Sequence, residues 1–229
     1  MDSSYFSGVV DLAMKDMEAR SRKRLYKRDP EAWMADVLGM RLYSKQREML
    51  QSYLDNPRTA AKSSNGTGKS ELVSGIIAWE ASIGDPMDDL CIVSAPTLSQ
   101  IEKVIFAYLK RHKGTAKMNG FDLPGRITET LAWKVDDVEG IEGSGLMVFG
   151  KRPSDKDIIG SFQGTRKLRT RVFLDEGGGL PTDMFDAAEA VATGAESRIF
   201  TIGNPDRIGC YFHKLFTDEK LTQDWALHT

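Results

Sequence analysis

The sequence predicts an α/β fold with a mostly parallel central sheet, helices on both faces of the sheet and helical additions at the amino terminus. Short apolar runs typical of buried strands alternate with helical patterns along the 229 residues. One strand and the helix after it are joined by a Gly-rich loop at residues 63–70. A later apolar strand ends in two adjacent carboxylates, Asp175 and Glu176. This length suffices for one large α/β domain or two small ones.

The amino-terminal part of the chain combines helical patterns with a basic run. Residues 5–18 have apolar side chains at helical spacing, and a second helix is predicted to begin at Asp29 and Pro30. The basic run between them fits a solvated helix face, and also a contact with DNA phosphates or a partner subunit. We predict a helical extension over residues 1–40, packed on a core domain of residues 41–229. The run consists of Arg20, Arg22, Lys23, Arg24, Lys27 and Arg28.

The core domain is predicted to alternate strands with helices. Apolar runs predict strands at 59–61, 90–94, 128–135, 145–149, 172–176 and 198–202. Helical periodicity predicts helices at 71–82, 100–113 and 183–191. Residues 114–125 are predicted to form a loop, and residues 218–229 at most one short strand. Acidic residues between two of the strands fit a solvated Gly-rich turn better than a metal site; they are Asp136, Asp137, Glu139 and Glu142.

The Gly-rich loop predicts a phosphate site. It matches the pattern G-x-x-x-x-G-K-[ST], except that a Ser takes the place of the first Gly. Small residues let the backbone N–H groups approach a phosphate closely, and the start of the next helix adds partial positive charge. Lys69 would reach the β- and γ-phosphates of ATP, and the hydroxyl of Ser70 would bind Mg²⁺. The loop reads Ser63-Ser64-Asn65-Gly66-Thr67-Gly68-Lys69-Ser70.

The polar residues at two later strand ends complete the predicted catalytic site. Ligands of parallel sheets bind at the carboxyl ends of the strands. Asp175 would therefore hold Mg²⁺ opposite Ser70, and Glu176 would polarise the water that attacks the γ-phosphate. Asn204 follows the next strand, and its amide could contact the γ-phosphate or the attacking water. A simple turn Asn between Gly203 and Pro205 is the other interpretation.

These motifs together resemble the ATPase domain of the large terminase subunit of tailed bacteriophages. The similarity extends over roughly Leu42 to Phe216, with every motif in the family's order. It implies a RecA-like P-loop ATPase fold and a motor that drives viral double-stranded DNA into a procapsid. The motifs are Gln46, the loop at 63–70, Ser94-Ala95-Pro96-Thr97, Gln100, Phe173-Leu174-Asp175-Glu176 and Ile202-Gly203-Asn204-Pro205.

The resemblance also implies partners. Double-stranded DNA, the portal protein and the small terminase subunit are expected, with a homo-oligomeric ring, pentameric on the portal, although isolated domains are often monomeric. The expected location is the host cell cytoplasm, with no membrane. Members of the family also carry a C-terminal RNase H-like nuclease. This chain is too short to hold one, so we expect an isolated ATPase domain without nuclease activity.

Tyr43 and Gln46 precede the phosphate loop and are candidate nucleotide contacts. In helicase-like ATPases a Gln at such a place contacts the edge of adenine. An amide both donates and accepts hydrogen bonds, which suits adenine N6 and N7. A surface Gln on an amphipathic helix is the other interpretation.

Asn65 marks a departure from the family pattern. Many terminases have an Arg at this loop position, four residues before the Lys, and an Asn cannot neutralise charge in the transition state. We therefore predict that Arg166 acts as an arginine finger on a neighbouring subunit. A contact of Arg166 with DNA or solvent remains open, and the competing candidates are Arg169, Arg171 and Arg198.

Two other functions remain open. One is a superfamily 2 helicase, although its second RecA-like domain and arginine motifs are not found. The other is a nucleotide-sensing assembly module without hydrolysis, which would have no need of a base at Glu176.

The composition sets further limits. The net charge is −2, so binding of DNA must rest on local patches. Cys91 and Cys210 are far apart in sequence, which fits a reducing compartment, and the three histidines lack metal-site spacing. No apolar run is long enough to span a membrane, and no signal peptide is recognised.

Overall fold

One sheet forms the centre of the molecule. The computed structural model describes residues 21–64, 66–135, 145–152, 167–205 and 207–229. Its strands are β1 (Arg58–Lys62), β2 (Asp89–Ser94), β3 (Arg126–Ile127), β4 (Ala132–Lys134), β5 (Leu146–Gly150), β6 (Arg169–Asp175), β7 (Arg198–Gly203) and β8 (Ala226–His228). In these residues they form an eight-stranded sheet in the order β3-β4-β5-β2-β6-β7-β1-β8. The pairs β3–β4 and β4–β5 are antiparallel, and the other pairs are parallel. The predicted mostly parallel sheet is confirmed.

Helices cover both faces of this sheet, as predicted. They are α1 (described over 21–28), α2 (Pro30–Leu38), α3 (Ser44–Asp55), α4 (Lys69–Ile83), α5 (98–118), α6 (Thr182–Val191), α7 (Tyr211–Lys214) and α8 (Glu219–Thr222). Helices α2 to α5 pack on one face, against Val93 and Phe173 of the central strands. Helices α6 and α7 pack on the other, against Ile92 and Leu174. None of the described helices is both long and apolar enough to cross a bilayer.

The central strands alternate their side chains between these two cores. Every residue of β2 is buried, and successive apolar residues enter opposite clusters because side chains of a strand point alternately to its two faces. The parallel register pairs Asp175 with Ile202 and Lys62 with Gly203. The carboxyl ends of β6, β7 and β1 therefore lie side by side at one edge of the sheet.

The amino-terminal helices follow the predicted pattern where they are described. The carboxylate of Asp29 accepts a hydrogen bond from Ala32 N at 2.8 Å and caps α2, while Pro30 occupies its first position. Trp33 and Val37 are buried in the core with α4. The boundary at residue 40 between the helical extension and the core domain stays a prediction. The predicted helix at 5–18 and the acidic turn at 136–142 lie outside the described residues.

Three local predictions were wrong. Helix α5 continues into the first part of the predicted loop and ends at Met118, because its buried face extends to Ala116 and a helical Gly costs only about 1 kcal/mol. Residues 119–125 are not helical, as predicted. The predicted strand at 128–135 is shortened to β4 by a tight turn closed by Thr128 N and Ala132 O at 2.8 Å. The short helix α8 precedes β8, where no helix was expected; Asp218 caps it with a bond of 3.0 Å to Lys220 N.

Candidate active site

The loop between β1 and α4 has the backbone shape that its motif predicts. Gly68 has a φ of 69°, in the left-handed region that glycine adopts at low cost. Helix α4 begins at the next residue, so the unpaired N–H groups of its first turn lie at the loop. The hydroxyl oxygens of Ser63 and Thr67 are 2.7 Å apart across the loop. Asn65 lies outside the described residues. The strand–loop–helix context is the one in which backbone N–H groups bind phosphates.

Lys69 lies at the centre of this loop. Only 7% of the residue is exposed, and its ammonium donates hydrogen bonds to the carbonyl oxygens of Ser63 at 3.1 Å and Ser64 at 3.0 Å. The loop carbonyls thus hold the ammonium among the backbone groups of the phosphate loop. This is the position from which a lysine can neutralise phosphate charge.

Ser70 and Asp175 meet across the loop, as the sequence predicted. The Ser70 hydroxyl donates to Asp175 Oδ2 at 3.1 Å, although 105 residues separate them. The second oxygen, Asp175 Oδ1, is buried and has no hydrogen-bond partner among the described residues. Hydroxyl and carboxylate oxygens suit Mg²⁺, which usually completes its shell with water and substrate phosphates. No cluster of three or more His, Cys, Asp or Glu residues suited to a metal occurs in the described ranges. The Ser70 hydroxyl and the Asp175 carboxylate are oxygen ligands of the kind that such an ion binds.

The carboxyl of Asp175 is poorly solvated. Burial raises the pKa of Asp175 to about 6, repulsion from Glu176 adds to this, and the hydrogen bond from Ser70 opposes it. A cation beside Asp175 would remove this cost of ionisation.

We expect the stability of the wild type to fall, relative to Asp175→Asn, between about pH 4 and pH 6. The pKa of Asp175 in the folded protein lies above the ordinary 3.8, so folding favours the protonated acid. As pH rises through this range, the unfolded chain loses the proton first, and the free energy of unfolding falls. The free energy of unfolding of the wild type should fall by up to about 3 kcal/mol relative to that of the variant. Urea unfolding of both proteins across this pH range, without Mg²⁺ or nucleotide, measures it. Parallel pH profiles would contradict the burial of an ionisable Asp175.

Glu176 does not extend strand β6 as the sequence predicted. The strand ends at Asp175, and Glu176 has a φ of 51°, which is uncommon for a residue with a side chain. This conformation costs about 1–2 kcal/mol and starts the tight turn Gly177–Gly179. Glu176 itself is half-buried.

Gly203, at the end of β7, links the phosphate loop with the Glu176 turn. Its carbonyl accepts a hydrogen bond from Ser63 N at 3.0 Å. A Cβ at Gly203 would lie 2.7 Å from Gly177 N, so only glycine lets these backbones approach so closely. The half-buried Asn204 follows and lines a cavity of about 450 Å³ together with Ser63 and other loop residues. The strand order thus brings Asn204 to the loop.

Tyr43 and Gln46 also contact the loop. The Tyr43 hydroxyl donates to the carbonyl of Thr67 at 2.9 Å. The buried Gln46 donates from Nε2 to the carbonyl of Gly68 at 3.4 Å, and its Oε1 accepts from Tyr43 N at 3.4 Å. Gln46 is therefore a buried side chain rather than one on an exposed helix surface.

A pocket of about 310 Å³ opens beside Gln46, a size at the lower end of ligand pockets. The sequence did not predict the charged residues Arg111 and Glu71 that line this pocket. Arg111 of α5 donates to Glu71 at 2.5 Å, and its guanidinium lies 4.6 Å from the centre of the Tyr108 ring. Arg111 is 40 positions from Glu71, and neither residue belongs to a motif. The lining also includes Leu38, Gly39, Met40, Arg41, Leu42, His112 and Thr115.

The competing arginine candidates lie away from the loop. Arg169 and Arg198 open β6 and β7, at the edge of the sheet opposite the loop, and Arg171 follows within β6. Arg169 and Arg171 bind Asp89, with shortest distances of 2.7 and 2.5 Å. Arg198 donates to backbone carbonyls at 2.8 and 2.7 Å. The guanidinium groups of these three arginines are therefore engaged within the chain itself. Arg166 lies outside the described residues.

Comparisons with known proteins bear on this fold. No protein-family model and no curated protein matches the chain. The large terminase from a thermophilic bacteriophage matches with a TM-score of 0.62 and 14% identity, over 82% of this chain and 45% of that one. The large terminase ATPase domain of Thermus phage P74-26 matches with a TM-score of 0.61 and 18% identity, over 87% and 84%. The chain has the fold of these ATPase domains.

The predicted RecA-like fold is thereby confirmed. Saccharomyces cerevisiae Dbp5 bound to RNA and ADP BeF3 also matches, with a TM-score of 0.51 and 15% identity over 82% of this chain and 46% of that one. Another crystal form of the thermophilic phage terminase was solved in complex with ADP. The chain spans less than half of that terminase, so the likeness to the full terminase is a likeness to one part.

Proposed function

We propose that this chain hydrolyses ATP with Mg²⁺ and drives double-stranded DNA into a viral procapsid, as the motor domain of a large terminase. The observation that carries the ATPase proposal is the meeting of Lys69, Ser70 and Asp175 at one loop. The terminase ATPase-domain fold supports the coupling of hydrolysis to DNA.

Each residue at the loop has a role in this proposal. Lys69 and the backbone N–H groups of the loop bind the β- and γ-phosphates. Ser70 and Asp175 hold Mg²⁺, which supplies positive charge on the phosphate oxygens. Glu176 accepts a proton from the attacking water. Asn204 senses the γ-phosphate and passes its presence to the Glu176 turn through Gly203, which contacts both segments.

The pocket beside Gln46 is the proposed site of the adenine base. Gln46 keeps one N–H and one lone pair beyond its bonds to Gly68 and Tyr43. Tyr43 supports the loop through Thr67.

We expect Gln46→Ala to weaken ATP binding about 3–10-fold, the value of one neutral hydrogen bond, and to leave UTP binding nearly unchanged. Calorimetric titration of both nucleotides measures this. Equal losses for ATP and UTP would show instead that Gln46 only supports the loop at Gly68.

The assembly is proposed from the resemblance. Subunits form a ring, pentameric on the portal, with the portal protein and the small terminase subunit as partners in the host cytoplasm. Arg166 is proposed to reach the γ-phosphate of a neighbouring subunit, which would raise turnover by about 10³–10⁵-fold. The engagement of Arg169, Arg171 and Arg198 within their own fold leaves Arg166 as the preferred candidate of the four.

The decisive experiment measures ATP turnover against protein concentration, with and without double-stranded DNA. We expect turnover that requires Mg²⁺, rises faster than linearly with protein and increases with DNA. A linear dependence would contradict catalysis shared between subunits. Unwinding of a partial duplex would favour a helicase. Nucleotide binding without turnover would favour a sensing module.

A further inference from the structure

Helix α1 has a concentrated positive charge on a chain of net charge −2. Five of its eight described residues are basic and none is acidic. Eight helical residues span about 12 Å, so the helix carries one charge per roughly 2.4 Å. Duplex DNA carries one negative charge per roughly 1.7 Å of its axis, which is a comparable density. The basic residues are Arg22, Lys23, Arg24, Lys27 and Arg28.

These cations form no ion pair within the described part of the chain. All five are exposed, and none is joined by an ion pair or a side-chain hydrogen bond to a described residue. By contrast, Arg47 pairs with Glu31, and Arg58 pairs with Glu189. The fold thus pairs these two arginines with carboxylates and leaves the charge of α1 available to an external anion.

Tyr26 fixes α1 to the domain. Its carbonyl accepts a hydrogen bond from Trp79 Nε1 at 2.9 Å, and its hydroxyl donates to Asp36 at 3.1 Å. Its ring packs edge-on against Phe121, with centres 6.3 Å apart. The described helix is therefore held in place before any partner binds, which lowers the entropic cost of binding.

The spacing of the charges places them in two rows. Lys23 with Lys27, and Arg24 with Arg28, are each four residues apart and so lie on a common face of the helix. The lysine row borders a cleft of about 390 Å³ whose walls also carry acidic groups and Arg169. The arginine row does not border that cleft; Arg28 borders a second cleft, whose walls also carry Asp29, Glu31 and Glu48. The acidic groups are Glu80, Asp85, Asp89 and Glu196.

We propose that α1 binds the phosphate backbone of double-stranded DNA, chiefly through Arg24 and Arg28. This rests on the proposed function, because it names the surface where the translocated DNA touches the domain. Guanidinium groups bind phosphate oxygens in pairs. Leu25 is the one large apolar side chain strongly exposed on the described helix, too little apolar surface for a helix that lies in a membrane.

This surface is distant from the predicted catalytic site. The cleft beside α1 includes Arg169, the first residue of β6, and Asp175 is the last residue of the same strand. Six steps along a strand span about 20 Å. Substitutions in α1 are therefore expected to alter DNA binding without disturbing Lys69, Asp175 or Glu176.

The test measures binding of a short labelled duplex to the whole chain by fluorescence anisotropy, without nucleotide, from about 50 to 200 mM salt. We expect the variant with Lys23, Arg24, Lys27 and Arg28 all changed to Ala to bind about 10–100-fold more weakly at the lowest salt. The slope of log affinity against log salt should fall by about 3–4, and by about 2 for Arg24→Ala with Arg28→Ala. A matched variant removes four exposed lysines elsewhere, Lys103, Lys110, Lys214 and Lys220, and should keep most of the affinity and slope.

Each other outcome overturns the proposal. Equal affinity and slope for the wild type and the fourfold α1 variant would show that α1 does not contact DNA. An equal loss in the matched variant would show an effect of net charge alone. Binding of the wild type to phosphatidylserine vesicles but not to the duplex would assign α1 to a membrane surface. Basal ATP turnover without DNA, measured on the same samples, tests the ATPase separately and should not change.

Discussion

Replacing Lys69 with Ala is expected to abolish detectable nucleotide binding or to lower ATP turnover at least about a hundredfold. Lys69 is buried, and its ammonium donates hydrogen bonds to the carbonyl oxygens of Ser63 and Ser64 in the proposed phosphate loop. Among the described loop residues it is the one side chain with a positive charge. Loss of one preorganised donor from such a site costs about 10²–10³ in rate. Calorimetric titration with ATP and Mg²⁺, followed by a turnover assay, measures both effects.

Two controls separate charge from folding in this experiment. Lys214→Ala removes an exposed lysine on α7 and should leave turnover unchanged. Thermal unfolding of the Lys69→Ala protein tests the loop itself, since the change also removes two hydrogen bonds to loop carbonyls. A folded Lys69→Ala protein with wild-type turnover would refute the assignment of the phosphate loop.

Glu176→Gln is expected to retain ATP binding and to lose about 10²–10⁴-fold in turnover. Gln preserves the size of the side chain and can adopt the same left-handed backbone, but it cannot accept the proton of the attacking water. The residue lies directly after Asp175, in the strained turn that the close approach of Gly203 holds in place. Single-turnover kinetics with Mg²⁺-ATP, together with a binding titration, distinguishes a loss of chemistry from a loss of affinity.

Glu219→Gln is the matched control, because it makes the same change on an exposed residue of α8. Its turnover should equal that of the wild type. If Glu176→Gln lost ATP affinity and rate by the same factor, the general-base role would be wrong. Unchanged slow turnover in Glu176→Gln would favour a nucleotide-sensing module over a motor.

Much of the candidate site was predictable because its signals are local. The phosphate loop depends on small residues, a lysine and a hydroxyl within eight positions, and these also determine the backbone shape. Asp175 was predictable because an apolar strand precedes it, and strands of parallel sheets place ligands at their carboxyl ends. The Glu176 backbone was not predictable, because its φ of 51° is imposed by the turn and by the packing of Gly203 against it.

The wall of the pocket beside Gln46 shows a different limit. Arg111 and Glu71 are brought together only when α5 packs on α4, and no pattern in either helix indicates this pair. The same holds for Arg169 and Arg171, which the sequence offered as arginine fingers. Their binding to Asp89, from the neighbouring strand β2, follows from the parallel register of β2 and β6. Long-range pairings of this kind are decided by tertiary contacts.

The sequence by itself determined most of the order of strands and helices, the Gly-rich loop and the carboxylates at the end of β6, because periodicity and local chemistry encode them. It also showed the basic run of α1. The tertiary structure decided which strand ends are neighbours, so that Ser70 meets Asp175 and Gly203 meets both the loop and the Glu176 turn. The tertiary structure also decided which Arg and Lys side chains are neutralised, because an ion pair requires a carboxylate within about 4 Å. By this physical criterion Arg169 and Arg171 are structural, whereas the cations of α1 form no ion pair with a described residue.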